Sequence, residues 1–216
     1  DWFVEDFTLA ELKTLRTRQR WPGRPHADDG KFEIPTFDEV LLLAKTKAGE
    51  TGRPVGIFPE AKHPKHFARL GHDFAAALLD GLKAHGIGWP EHPVIIQSFD
   101  PWILRRLKPH TAFPLMLLLG DNFRFRFRLR GMAKYAAAIG PDKRLVAEGK
   151  RPTGLLEAAH RQGLAVVIYT VRDDRPGKGF ANAEEELAFY FRLGVDGVFT
   201  DFPATAKKVR DAVTGE

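Results

Sequence analysis

The chain has 216 residues, 44% of them hydrophobic and 28% charged, which is enough apolar content to bury one large domain or two small ones. Its formal charge is +5 and its pI is near 9.5, a mild basic excess that suits anionic substrates. The basic residues are mostly scattered, no DNA- or RNA-reading motif accompanies them, and no nucleic-acid partner is expected. Cysteine is absent, which excludes disulfides, thiol catalysis and thiolate metal sites.

The chain opens Asp1-Trp2-Phe3-Val4-Glu5-Asp6, without an initiator Met or the basic and apolar regions of a signal peptide, so its start is expected to be a cut. No run is long enough to span a bilayer as a helix. Phe7 to Leu12 opens a short helix, with Thr8 and Glu11 at capping-box spacing. Residues 19–35, rich in Gly, Pro, Arg and Asp, read as a long loop. Thr36 and Glu39 repeat the capping box ahead of a second helix running to about Ala48. Gly52-Arg53-Pro54 punctuates the chain, and Val55, Ile57 and Phe58 then form a short apolar strand that runs into Glu60 and Lys62.

A long amphipathic helix is expected from about His66 to His85. Val94 to Asp100 is a second apolar run, and Asp100-Pro101 is suited to cap and start the helix after it. Phe113 to Leu119 is a third run. Phe123 to Arg130 alternates apolar residues with Arg, the period of a half-exposed strand or ribbon. Its Arg face either is simply solvated or meets anions or a membrane. Tyr135 to Ile139 is a fourth run, followed by a helix from about Thr153 to Gln162. Leu164 to Val171 is a fifth strand, and Ala183 to Leu193 is helical. Gly194 to Pro203 is a sixth strand, before a final helix to about Val213.

These strands are short and apolar without alternation, the pattern of a parallel sheet buried on both faces. The last unit, strand then helix, suits the closing unit of a barrel. Such a barrel needs eight strands, so two are expected to lie before Asp1. Glu60 and Lys62 are two apart and share a face of a continuing strand. At a strand's carboxyl end such a pair can hold a hard cation and a phosphate, or simply pair with itself. His63 and His66 follow Glu60 at a loose metal-like spacing, but Pro64 interrupts the helix that would align them, and they read as loop positions. Asp201, after the last strand, reads as the cap of the final helix.

Several pieces, taken together and in order, resemble the glycerophosphodiester phosphodiesterases, in particular the longer periplasmic or secreted type. They are Phe7-Thr8-Leu9-Ala10-Glu11-Leu12-Lys13, Ile34-Pro35-Thr36-Phe37-Asp38-Glu39-Val40 and Phe58-Pro59-Glu60-Ala61-Lys62-His63-Pro64. They continue as Ile96-Gln97-Ser98-Phe99-Asp100, Ile139-Gly140-Pro141-Asp142, Tyr169-Thr170-Val171-Arg172 and the stretch from Gly194 to Pro203. The resemblance implies an α/β fold, a (β/α)8 TIM barrel of the phosphodiesterase type. Residues 1–216 would form a single partial barrel domain, strands 3 to 8 with strands 1 and 2 missing, roughly the C-terminal two-thirds.

The implied reaction is hydrolysis of a glycerophosphodiester to glycerol 3-phosphate and an alcohol with a divalent cation, Ca²⁺ or Mg²⁺. The implied partner is that small-molecule substrate, and the implied location periplasmic or secreted. Glu60 resembles the third metal carboxylate of the family and Lys62 its phosphate-facing lysine. Gln97 resembles a residue facing the site, and Phe99 either lines the glycerol pocket or packs in the barrel core. Tyr169 occupies the place of an aromatic near the substrate, with core packing as the other role. Arg172 lies at the rim, where it meets phosphate or solvent. The family's His-Arg-Gly, its Glu-x-Asp and its second catalytic histidine belong to the region before Asp1, so this chain alone is expected to be inactive. Two other readings stay open: a non-catalytic barrel that binds a phosphodiester or a partner, and a phospholipase-type barrel acting on lipid headgroups, which the Phe-Arg ribbon would favour.

Overall fold

The computed structural model describes residues 2–88, 92–121 and 128–215, so the Phe-Arg alternation at 123–127 lies outside the described residues. The chain divides into two units, Asp1–Arg53 and Pro54–Glu216.

In the first unit both expected capping boxes are formed. The helix α1 (Leu9–Leu12) is entered through Thr8, whose Oγ1 accepts from the Glu11 amide at 3.3 Å while its own amide donates to Glu11 Oε2 at 2.8 Å. The helix α2 (Phe37–Thr51) repeats this with Thr36 and Glu39 at 3.2 and 2.7 Å. Each box satisfies two amides that a helix start leaves unpaired. Gly52, at φ +64°, ends α2 in the left-handed region that glycine enters without steric cost. Residues 19–35 hold no helix or strand, as expected, and Asp29 orders them by accepting from the Gln19 amide at 2.6 Å.

The second unit begins with the Glu60 segment. It forms a parallel ladder: the Ile57 amide donates to Pro93 O at 2.9 Å, Ile95 to Ile57 O at 3.1 Å, Gln97 to Pro59 O at 2.9 Å and Ala61 to Gln97 O at 2.9 Å. The elements that follow are α3 (Pro64–Arg69), α4 (Phe74–Ala84), β1 (Ile96–Ser98), α5 (Pro101–Leu107), β2 (Leu115–Leu119) and α6 (Leu129–Met132). Then come β3 (Ala138–Pro141), α7 (Lys143–Val146), β4 (Ala147–Glu148), β5 (Arg151–Pro152) and α8 (Leu155–His160). The unit closes with β6 (Ala165–Val171), α9 (Ala183–Leu193), β7 (Gly197–Thr200) and α10 (Pro203–Thr214).

The sheet runs β1-β2-β3-β6-β7 with every pair parallel, and the Glu60 segment lies outside β1. Met116, Leu118 and Ala138 form a buried cluster on one face, with Ile95, Ala165, Val167, Tyr169 and Phe199 packed against it. Gly140 faces the same cluster, where an added Cβ would lie 2.5 Å from Leu118 Cδ2. Phe58, on the first strand segment, meets Phe199, on the last strand, edge to face at 5.4 Å. The parallel sheet is therefore curled, so that side chains from its two outermost strands touch. Among the described residues no helix is long and apolar enough to cross a membrane.

Three local expectations fail for identifiable reasons. The single helix expected over 66–85 is two, because Gly71 turns at φ +88° and the Asp73 carboxylate starts α4 by accepting from the Ala76 amide at 3.1 Å. Leu129 and Arg130 begin α6 rather than continue a ribbon, and Tyr135 precedes its strand, which starts at Ala138. The small antiparallel pair β4–β5 carried no signal beyond Gly149, which turns between its strands at φ +62°.

A buried ion pair joins the outer layer. Glu186 on α9 is 1% exposed, accepts from Lys143 Nζ at 2.6 Å, and accepts from the Gly177 amide at 2.9 Å. Tyr190 donates from its hydroxyl to the Lys143 carbonyl at 3.0 Å. Together these bonds tie α7, α9 and the loop after β6. Removing one partner strands the other charge out of water. Glu186→Ala is expected to cost about 3 kcal/mol in urea unfolding, whereas Glu186→Leu combined with Lys143→Met recovers most of it.

Candidate functional site

The polar side chains of the sheet gather at the carboxyl ends of its strands. The Glu60 segment pairs with β1 so that Glu60 lies opposite Gln97. The Glu60 side chain is 24% exposed and that of Lys62 is 71% exposed, with Nζ 3.8 Å from Glu60 Oε2. That separation is a loose ion pair, beyond hydrogen-bond distance, and it leaves room for a third group between them. Gln97 is 7% exposed. Its Nε2 donates to the Phe58 carbonyl at 3.1 Å, while its Oε1 is buried with no partner in the structure.

Phe99 is 50% exposed in this chain and belongs to the wall of the cavity beside Glu60. Its ring meets Tyr169 edge to face at 6.0 Å. Tyr169 combines both roles open to it: its ring packs on the interior cluster, and its hydroxyl donates to the Leu119 carbonyl at 2.8 Å, tying β6 to the end of β2. Burial pushes the Tyr169 phenol up to about 12, with the negative charges of Asp142, Asp121 and Glu60 adding to it.

Arg172 donates from Nε to Asp201 Oδ2 at 2.7 Å. This corrects the reading of Asp201 as a helix cap. The N-cap of α10 is Phe202 with no side-chain cap, and the Phe202 amide is taken by Thr200 Oγ1 at 2.9 Å. Asp201 is turned toward the guanidinium, whose full charge is a stronger partner than one amide.

A cavity of about 710 Å³ opens beside Glu60, its wall including Lys62, His63, Lys65, His66, Arg69 and Phe99. It brings together Glu60, Lys62 and Phe99 of the expected site residues. Gln97, Tyr169 and Arg172 are not part of its wall. Gln97 pairs with Glu60 in the ladder, Tyr169 reaches the wall through its contact with Phe99, and Arg172 stands on the β6–β7 side. His66 is helical rather than in a loop, and both it and His63 belong to the cavity wall.

Sequence reasoning missed a second cluster. Arg144 forks onto Asp142 at 2.9 and 2.8 Å and reaches Asp121 at 3.0 Å. Burial opposes ionisation of Asp142, but the hydrogen bonds and charge of Arg144 outweigh it and hold the carboxyl below the usual range. Both acids follow strand ends, after Leu119-Gly120 and Gly140-Pro141, which is the signal that singled out Glu60.

Glu60 and the unpartnered Gln97 carbonyl are hard oxygen donors of the kind that Ca²⁺ and Mg²⁺ take. They fit a hard cation as part of a shell. Among the described residues no group of three or more His, Asp or Glu side chains is placed to hold a metal alone.

Residues 1–205 match the Glycerophosphoryl diester phosphodiesterase family. The chain belongs to this family. A glycerophosphodiester phosphodiesterase of Arabidopsis thaliana is 31% identical over 235 residues, covering 93% of this chain and 62% of that protein. One from Haemophilus influenzae is 28% identical over 250 residues, covering 94% of this chain and 69% of that protein. The chain thus spans between 62% and 69% of the length of these two relatives. A phosphodiesterase of Oleispira antarctica, solved in complex with its product sn-glycerol-3-phosphate, superposes with a TM-score of 0.65 at 19% identity. It covers 98% of this chain and 73% of that one, and at this identity the likeness shows the fold. The curled parallel sheet is part of the family's TIM barrel.

In this member of the family Tyr169 gives the site a handle for titration. Its phenol is raised from an ordinary value of 10 to about 12 in the folded protein. The neutral form is therefore favoured by folding. That contribution to stability is complete below pH 10 and fades as pH rises toward 12. Absorbance titration of the phenolates should show a late-ionising tyrosine that disappears in Tyr169→Phe, and the variant should lose less stability over this pH window than the parent.

Proposed function

We propose that the protein to which this chain belongs hydrolyses glycerophosphodiesters to glycerol 3-phosphate and an alcohol, in a divalent-cation-dependent reaction. The observation that carries this reading is Glu60 beside Lys62 at a strand's carboxyl end, in the wall of a cavity, in a chain of this family. In TIM barrels that end of the sheet is where chemistry is assembled.

Lys62 would stabilise the negative charge that builds on the phosphoryl oxygens as the diester is attacked. Glu60 would help to hold Ca²⁺ or Mg²⁺, with the Gln97 carbonyl behind it. When bound, the cation supplies Lewis-acid polarisation of a phosphoryl oxygen. The Phe99 and Tyr169 rings would pack on the glycerol carbons. Arg172, oriented by Asp201, would meet substrate oxygens from the far rim.

Proton transfer is assigned to the histidines of the family pattern, which this sequence does not contain. The isolated chain is accordingly proposed to be inactive. A periplasmic or secreted location is part of the same proposal and rests on the resemblance to the longer family type.

The test is release of glycerol 3-phosphate from glycerophosphocholine, with Ca²⁺ and with chelator, by this chain and by an N-terminally extended form. Release is expected from the extended form only, and chelator or Glu60→Gln should abolish it. Lys62→Met should lower kcat/KM about 100-fold. Full activity from the isolated chain would overturn the assignment of proton transfer. No release from either form would favour a phosphodiester-binding barrel without catalysis.

A further inference from the structure

The cavity beside Glu60 is larger and more basic than the reacting phosphate requires. Its volume of about 710 Å³ lies well inside the range of sites for whole ligands, roughly 300 to 1,000 Å³. Two carboxylates belong to its wall, and each faces a lysine. Glu60 faces Lys62 at 3.8 Å. Asp100 starts α5 by accepting from the Trp102 amide at 2.9 Å on one oxygen, and pairs with Lys65 Nζ at 3.0 Å on the other.

Against these two acids stand Lys62, Lys65 and Arg69, with the imidazoles of His63 and His66. Arg69 makes one hydrogen bond among the described residues, from Nε to the Lys65 carbonyl at 3.2 Å. No carboxylate partner is described for it. A guanidinium in this position is a planar fork suited to two oxygens of a phosphate. His63, next to Lys62, is the non-glycine residue with positive φ, at 49°, among the described residues. A backbone held in that sparsely populated region is characteristic of ligand sites.

The basic residues are also spread along the cavity. His63 is the N-cap of α3 and Arg69 its last residue, which separates them by about 9 Å of helix rise. Arg69 turns back along α3 to the Lys65 carbonyl, and the cavity it lines is large enough to hold a second anionic group beside a phosphate at Lys62. The apolar contacts, Phe99 and Tyr169, belong to other strands and suit glycerol carbons.

We propose that the α3 side of this cavity, centred on Arg69 with His63, Lys65 and His66, is a second phosphate subsite that selects diesters whose alcohol carries a phosphate of its own. This rests on the reading of the Glu60 site as a glycerophosphodiesterase. It goes beyond that reading in naming the alcohol the site prefers.

The experiment compares three substrates of the N-terminally extended protein: glycerophosphoglycerol, the same diester phosphorylated on its distal glycerol, and glycerophosphocholine. The phosphorylated diester is expected to have a kcat/KM about tenfold above the neutral one, with the cationic choline diester lowest. Arg69→Gln should collapse the ratio between the first two toward one, and Arg69→Glu should invert it. Circular dichroism of both variants checks that they fold.

A ratio near one in the parent protein, with all three diesters cleaved, overturns the subsite and leaves the hydrolase reading intact. If no diester is cleaved the hydrolase reading fails, and calorimetry with glycerol 3-phosphate and glycerol bisphosphate decides the subsite alone. Tighter binding of the bisphosphate that Arg69→Gln removes supports it. Equal affinities overturn it.

Discussion

Everything in the larger unit depends on a sheet whose strands all run the same way and whose one face is filled by Met116, Leu118 and Ala138. A parallel sheet covered on both faces has no solvated side on which to place charge. Charged side chains are therefore found where the strands stop. Glu60, Asp121, Asp142, Arg172 and Asp201 all occupy such positions, and the site is a consequence of filling the interior.

The interior also fixes how the rim is shaped. Phe58 and Phe199 come from the outermost strands of the sheet and meet edge to face. That contact requires the sheet to curl, and the curl brings β6 toward β1 so that Tyr169 reaches Phe99. Gly140 permits it, because a side chain there would collide with Leu118. Tyr169 is thus the hinge between core and site, with a ring in the interior and a hydroxyl on the Leu119 carbonyl.

The rim has two electrostatic regimes. On the β2–β3 side Arg144 is saturated by Asp142 and Asp121, and on the β6–β7 side Arg172 is oriented by Asp201. The Arg144 charge is spent on holding the strand ends together. On the α3 side the acids are the minority, and Arg69 presents its fork to the cavity without a carboxylate described beside it. An anion entering the site is drawn toward the second region, since opposite charge is already compensated in the first.

By itself the sequence determined the parallel α/β class, the order of strands in the main sheet, both capping boxes and the placing of Glu60 and Lys62 at a strand end. All of these are local: apolar runs without alternation, Thr and Glu three residues apart, and charge following an apolar strand. The ordered set of motifs likewise identified the family that residues 1–205 match. The tertiary structure alone decided what those ends meet. Asp201 reads as a cap until Arg172, 29 residues away, is brought within hydrogen-bond distance. Phe99 reads as core or pocket until the fold places it, half exposed, in the cavity wall. Glu186 looks like one of three consecutive acids in the first turn of a helix until Lys143 and the Gly177 amide are folded onto it. The basic wall of α3 was hidden for the same reason: a run of His, Lys and Arg is indistinguishable from a solvated face until β1 and Asp100 are placed opposite it. Local propensity acts through near neighbours in the chain, whereas charge pairing and burial act through neighbours in space.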